Sequence, residues 1–137
     1  VRALKPTVDT KFHIDLNWWQ RQNKDIRIFL LDVLCEECRG ELGDLAEERI
    51  VDMIDRDTAE VKRVDATWEA IGACCSVHPG YITMDTPLLE SIFRVFLANG
   101  NKPLSLRELH ARLDRKPPET ILRLLTKGRV YLGIRPV

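Results

Sequence analysis

The chain has 137 residues, room for one ordinary domain or two small ones, and its 45% hydrophobic and 31% charged content is that of a soluble globular protein. Its longest apolar run, Ile28–Leu31, stops at Asp32, far short of the roughly 20 residues a membrane helix needs, so no membrane partner is expected. A zero net charge hides a polarity: residues 99–137 hold nine Lys and Arg against three Asp and Glu, residues 1–98 twelve against eighteen. Such polarity fits an acidic partner such as nucleic acid for the basic end, or attraction between the two ends, within one chain or between copies. No secretory leader pattern is visible, and a cytoplasmic location is the expectation.

Phe12-His13-Ile14-Asp15-Leu16 alternates apolar and polar residues, which predicts a short half-buried strand. Trp18 and Trp19 follow; an outward-facing tryptophan there would mark a contact surface. Asp25 is placed to cap a helix running to about Cys38, with Ile26, Phe29, Leu30, Val33 and Leu34 on one face and Gly40 past its end. Asp44 opens a second predicted helix whose stripe is Leu45, Ile50 and Ile54. Asp55–Thr58 reads as a turn, and Val61 and Val64 as a short strand or extended arm. Asp65 caps a third helix, Ala66 to about Val77, presenting Trp68, Ile71 and Cys75 together before Pro79-Gly80 ends it.

Thr86-Pro87 starts the next helix, since proline at the first position forgoes no needed hydrogen bond. Leu88, Leu89, Ile92, Phe93, Phe96 and Leu97 recur at helical spacing, and Asn99-Gly100 supplies a left-handed stop. After an extended Lys102-Pro103-Leu104, Ser105 and Glu108 have the spacing of a capping box. That helix carries Leu106, Leu109 and Leu113 inward and breaks at Asp114–Pro117. Pro118 opens a last helix with Ile121, Leu122, Leu124 and Leu125 as its core side, closed by Gly128. Val130, Leu132 and Ile134 then alternate as a strand.

Helix, extended piece, helix, turn, helix, strand, with Leu106-x-x-Leu109-x-x-x-Leu113 and Pro118-x-x-Ile121-x-x-Leu124-Leu125-x-x-Gly128-x-Val130, resembles the winged helix-turn-helix superfamily over residues 86–135. The resemblance implies that residues 118–127 are a recognition helix. Thr120 and Arg123 would then read base edges, while Arg112, Arg115, Lys116, Lys127 and Arg129 neutralise phosphates. Only one strand follows the last helix, where many members of the superfamily build a hairpin wing.

Cys35-Glu36-Glu37-Cys38 near one helix end and Cys74, Cys75 and His78 near another form two ligand pairs of helical spacing. Brought together, Cys35, Cys38, Cys75 and His78 could surround a tetrahedral zinc, with Cys74 or His13 as substitutes. The flanking glutamates argue against a thioredoxin-like redox pair and favour a cation. Two other readings stand beside zinc: buried cysteines packing as small apolar side chains, and a disulfide. No nucleophile motif or phosphate-cradling loop is present, and His13-Ile14-Asp15 lacks a nucleophile, so an enzyme is not expected.

The sequence therefore predicts a mainly α protein with a minor β part. An acidic helical domain, residues 1–82, would precede a basic winged-helix-like module, residues 83–137. DNA binding or transcription-associated activity, as a homodimer, is the expected function. The alternative is an adaptor that binds a protein partner and uses the module for packing.

Overall fold

The structure is a computed structural model that describes residues 5–42, 50–54 and 58–137. The fold is mainly α with a minor β part. It separates into two compact units, Val1–Lys24 with Met84–Val137, and Asp25–Thr83. The second unit ends at Thr83, where the sequence reading drew its limit at 82/83. The first 24 residues, placed by the sequence reading with residues 25–82, cluster here with Met84–Val137.

The reason is strand pairing. β1 (Lys11–Ile14) is the middle strand of a three-stranded antiparallel sheet, flanked by β4 (Leu104–Ser105) and β5 (Ile134–Pro136). Phe12 faces Leu104 on one side and Pro136 on the other, and Ile14 faces Ile134. Alternation puts Phe12 and Ile14 wholly inside while Lys11 is exposed. β4 is only two residues long, so Ile14 outruns it. Asn101, in the left-handed region at φ 63°, fills the gap: its amide oxygen accepts from Ile14 N–H at 2.8 Å and its NH₂ donates to Ile14 C=O at 2.9 Å.

Asp15 then caps α1 (Leu16–Arg21), accepting from the Asn17 N–H at 3.0 Å. This helix, absent from the sequence reading, buries Trp19, whose indole N–H donates to the Leu132 carbonyl at 3.1 Å. That contact fixes a turn, with Leu132 and Gly133 both at positive φ. A Cβ at Gly133 would lie 2.7 Å from Trp19 Nε1, so only glycine fits. Residues 130–133 are therefore a turn, and the strand expected from Val130 begins at Ile134.

Three helices complete this unit: α5 (Leu88–Ala98), α6 (Leu106–Leu113) and α7 (Pro118–Thr126). α5 buries Ile92, Phe93, Val95, Phe96 and Leu97 and stops at Gly100, φ 73°. α6 starts with the capping box, Ser105 Oγ accepting from Glu108 N–H and Glu108 Oε1 accepting from Ser105 N–H. α7 buries Ile121 and Leu125, but Leu124, expected in the core, is 44% exposed. Ile121 and Leu125, one turn apart, define the inward side of this short helix, and position 124 lies off that line.

In the second unit, Asp25 caps α2 (Ile26–Val33) as predicted, accepting from Arg27 N–H at 2.9 Å. The helix does not run to Cys38. Leu34 turns extended at ψ 122°, and α3 (Glu36–Leu42) starts anew with Gly40 inside it. Arg39 reaches back from α3 to donate to the Leu31 carbonyl at 2.7 Å, satisfying an acceptor that the break leaves open. Phe29, predicted inward, is 36% exposed, whereas Leu30 and Leu34 are buried.

The helix predicted from Asp44 is partly outside the described residues, which exclude 43–49; its second half, Ile50–Ile54, is strand β2. β2 pairs antiparallel with β3 (Val61–Asp65), Ile54 opposite Val61. Of the turn predicted over 55–58, only Thr58 is described. Asp65 caps α4 (Ala66–Ala73), accepting from Thr67 N–H at 2.8 Å, and Trp68 and Ile71 are buried. α4 ends four residues earlier than expected, passing through Cys74 into a 3₁₀ turn, Cys75–Val77.

Candidate functional site

Two groups of residues stand out, one in each unit. The first is the exposed side of α7. Pro118 at its first position starts the helix, and burial of Ile121 and Leu125 leaves Arg123 exposed, with half-buried Thr120 one turn before it and exposed Lys127 at the extended C-cap. With Leu124 they line a shallow groove of about 280 Å³. Arg123, Lys127, Arg129, Lys116 and Arg112 are exposed, and among the described residues none of them forms an ion pair. Arg115 is different. Its guanidinium donates to the Thr86 carbonyl and, at 2.9 Å, to Ser91 Oγ, tying the turn before α7 to the start of α5. Of the phosphate-binding candidates it is the one whose Nη1 is engaged by the fold.

The same unit holds a second cleft, about 570 Å³, lined by Trp18, Gln22, Lys24 and residues 129–132. Lys24 Nζ sits 5.6 Å from the centre of the Trp18 ring, and Trp18 meets Trp19 edge to face. Trp18 is half-buried and Trp19 buried, so neither is the fully outward-facing tryptophan considered from sequence. Burial, reinforced by Glu90, raises the Tyr131 phenol above its ordinary range and keeps it a hydrogen-bond donor.

The second group is in the other unit. Cys35 and Cys38 enter and begin α3, while Cys74 and His78 flank the 3₁₀ turn. One ligand atom from each of Cys35, Cys38, Cys74 and His78 lies within 4.8 Å of every other. Cys35 Sγ is 3.0 Å from Cys38 Sγ, and Cys38 and Cys74 are joined as a disulfide. His78 Nε2 is 3.3 Å from Glu37 Oε2, which orients the ring.

Cys75, predicted as a ligand, is not in this group. It is buried, accepts from Cys35 N–H at 3.3 Å and lies 3.5 Å from Cys35 Sγ. The sequence reading assumed a continuous α-helix to Val77, in which Cys75 and His78 share a face. The early end of α4 rotates Cys74 toward the cluster instead and turns Cys75 into the core. Cys74, the substitute, thus takes its position. His13, the other substitute, belongs to β1 of the other unit and is not a member of the group.

Four donors this close suit a small tetrahedral ion. Zinc–sulfur bonds of about 2.3 Å put ligand atoms roughly 3.8 Å apart, inside the span of this group. The residues are therefore close enough to hold a metal ion, although two of them are drawn into a disulfide here. No family model, no curated protein and no solved structure matches this chain.

Proposed function

We propose that the unit formed by Val1–Lys24 and Met84–Val137 is a winged-helix-like module that binds duplex DNA through α7, and that the Asp25–Thr83 unit is built around a zinc centre. The observation that carries the DNA reading is the row of exposed cations on and beside α7 that no carboxylate among the described residues neutralises. Cations left open to solvent keep their full attraction for phosphate. Thr120 and Arg123 face base edges in this reading; Lys116, Lys127, Arg129 and Arg112 hold the backbone.

The sheet adds support. A winged helix closes its sheet with a hairpin after the last helix, and here β1 occupies the middle position between β4 and β5. In this reading β1, from the N-terminal side, stands where a wing strand would otherwise pair. One module contacts little duplex, so the chain acts as a homodimer on paired half-sites. The zinc reading rests on the donor set, three thiols and an imidazole, whose soft ligands select zinc over hard cations.

A second reading keeps the module but changes its partner. Leu124, 44% exposed between Arg123 and Lys127, would suit an acidic amphipathic helix better than a phosphate backbone. A duplex titration at low salt separates the two. Arg123→Ala is expected to weaken duplex binding by about 1–3 kcal/mol. Unchanged affinity removes Arg123 from the site, and a wild-type protein that binds no duplex leaves the adaptor reading in place.

A further inference from the structure

The disulfide and the metal ion compete for the same atoms. Cys38 and Cys74 are two of the four donors, and a sulfur bonded to sulfur is no longer a thiolate ligand. With them joined, only Cys35 and His78 of the group keep donor character. We infer that this cluster is a redox-gated metal centre: reduced, it holds zinc through Cys35, Cys38, Cys74 and His78; oxidised, it carries the Cys38–Cys74 disulfide and releases the ion. The inference rests on the zinc reading above and adds its regulation.

The geometry favours a reversible exchange. The cluster lies between two short elements, the start of α3 and the 3₁₀ turn after α4, with Cys38 and Cys74 Cα atoms 6.0 Å apart. That span is ordinary for a disulfide and fits two ligands of one tetrahedral ion as well. Cys35, Cys74 and His78 are all partly open to solvent, so a small oxidant or chelator can reach the group. Glu36 and Glu37 are exposed at its rim, where negative charge attracts a divalent cation.

The oxidant class is a peroxide. Two cysteine thiolates give up two electrons and form one S–S bond; hydrogen peroxide takes those electrons with two protons and leaves as two waters. The zinc ion departs as Zn²⁺ without changing oxidation state. A dithiol reverses the reaction by becoming a disulfide itself, returning both thiolates to the centre. Cys35 lies 3.0 Å from Cys38, so a Cys35–Cys38 bond is the competing product, and its absence is part of the claim.

The test uses the full chain, reduced under a dithiol, loaded with zinc and desalted. About one equivalent of zinc per chain is expected. Hydrogen peroxide should then release zinc to a chromophoric chelator in step with formation of the Cys38–Cys74 disulfide, one ion per bond, as mapped by peptide mass spectrometry. Dithiol should restore uptake. His78→Ala, at a partly exposed position, separates the two chemistries: zinc uptake weakens by at least about tenfold while the same disulfide still forms. Less than half an equivalent in the reduced wild type overturns the zinc reading and the gating with it. Full loading followed by zinc retention after the disulfide has formed, or release through a Cys35–Cys38 bond, overturns the gating alone.

Discussion

Glu108 carries two loads at the start of α6. Its Oε1 accepts from the Ser105 N–H at 3.0 Å, closing the capping box, and pairs with Lys11 Nζ at 2.8 Å. The hydrogen bond from Lys11, with that from the Ser105 backbone, holds the carboxyl down at about 2 against its usual 4.5. A carboxylate with a lowered folded-state value stabilises the fold fully above its unfolded value. That stabilisation fades as pH falls through the window from about 4.5 to about 2. Both side chains are about half exposed, so solvent screening keeps the pair modest. Glu108→Gln keeps a side chain that can cap but has no charge to titrate. Thermal melts should show a change within about 1 kcal/mol at pH 7 and a flatter loss of stability between pH 4.5 and 2. Parallel acid limbs for variant and wild type would remove Glu108 from the acid response.

At the scale of elements, what could be read from the sequence depends on how far apart the interacting residues are. Asp25, Asp65, Ser105 with Glu108, Pro118 and Gly100 signal helix ends through contacts within one turn, and each acts where it was read. The misreadings arise where periodicity is ambiguous or the contact is distant. Ile50 and Ile54 are spaced for a helix face yet sit in a strand, because pairing with residues 61–65 decides the outcome. The break at Leu34 falls in a stretch with no proline or glycine before Gly40, so no local signal marked it. The Cys/His cluster was legible in type, since two pairs of helical spacing were visible, but choosing Cys74 over Cys75 required knowing where α4 ends. β1 is the furthest case: its own alternation revealed a strand, and nothing in it revealed partners some 90 and 120 residues away. Asn101 shows how closely that long-range pairing is finished, because one side chain bonds both the N–H and the C=O of Ile14. Asn101→Ala leaves two backbone groups without partners next to the sheet. It should cost about 1–3 kcal/mol by denaturant unfolding, with the slope against denaturant unchanged. A loss below a few tenths would mean that water replaces the amide freely.

Across the whole molecule, the division into units sharpens the charge pattern of the sequence. The unit that contains α7 holds fifteen Lys and Arg against seven Asp and Glu; the other holds six against fourteen. An acidic unit on the same chain does not by itself cancel the attraction for a polyanion that we propose for α7. Exposed charges more than about 10 Å apart are largely screened at 0.1 M salt, whereas cations touching phosphate displace condensed counterions directly. Each phosphate neutralised contributes about −0.9 to the slope of log affinity against log salt. With Arg112, Lys116, Lys127 and Arg129 on the backbone and Arg123 on a base, each module should contribute a slope of about −3 to −4, and a dimer about twice that. Lys127→Ala should lower the magnitude of that slope by about 1 per module and weaken all duplexes alike. Arg123→Ala should leave the slope nearly unchanged and relax preference among sequences. Titrations of one duplex at several salt concentrations therefore test the assignment of roles as well as the binding. A slope near zero with measurable affinity would assign the contact to apolar packing around Leu124, and the cations of α7 would then serve solvation of the surface rather than recognition.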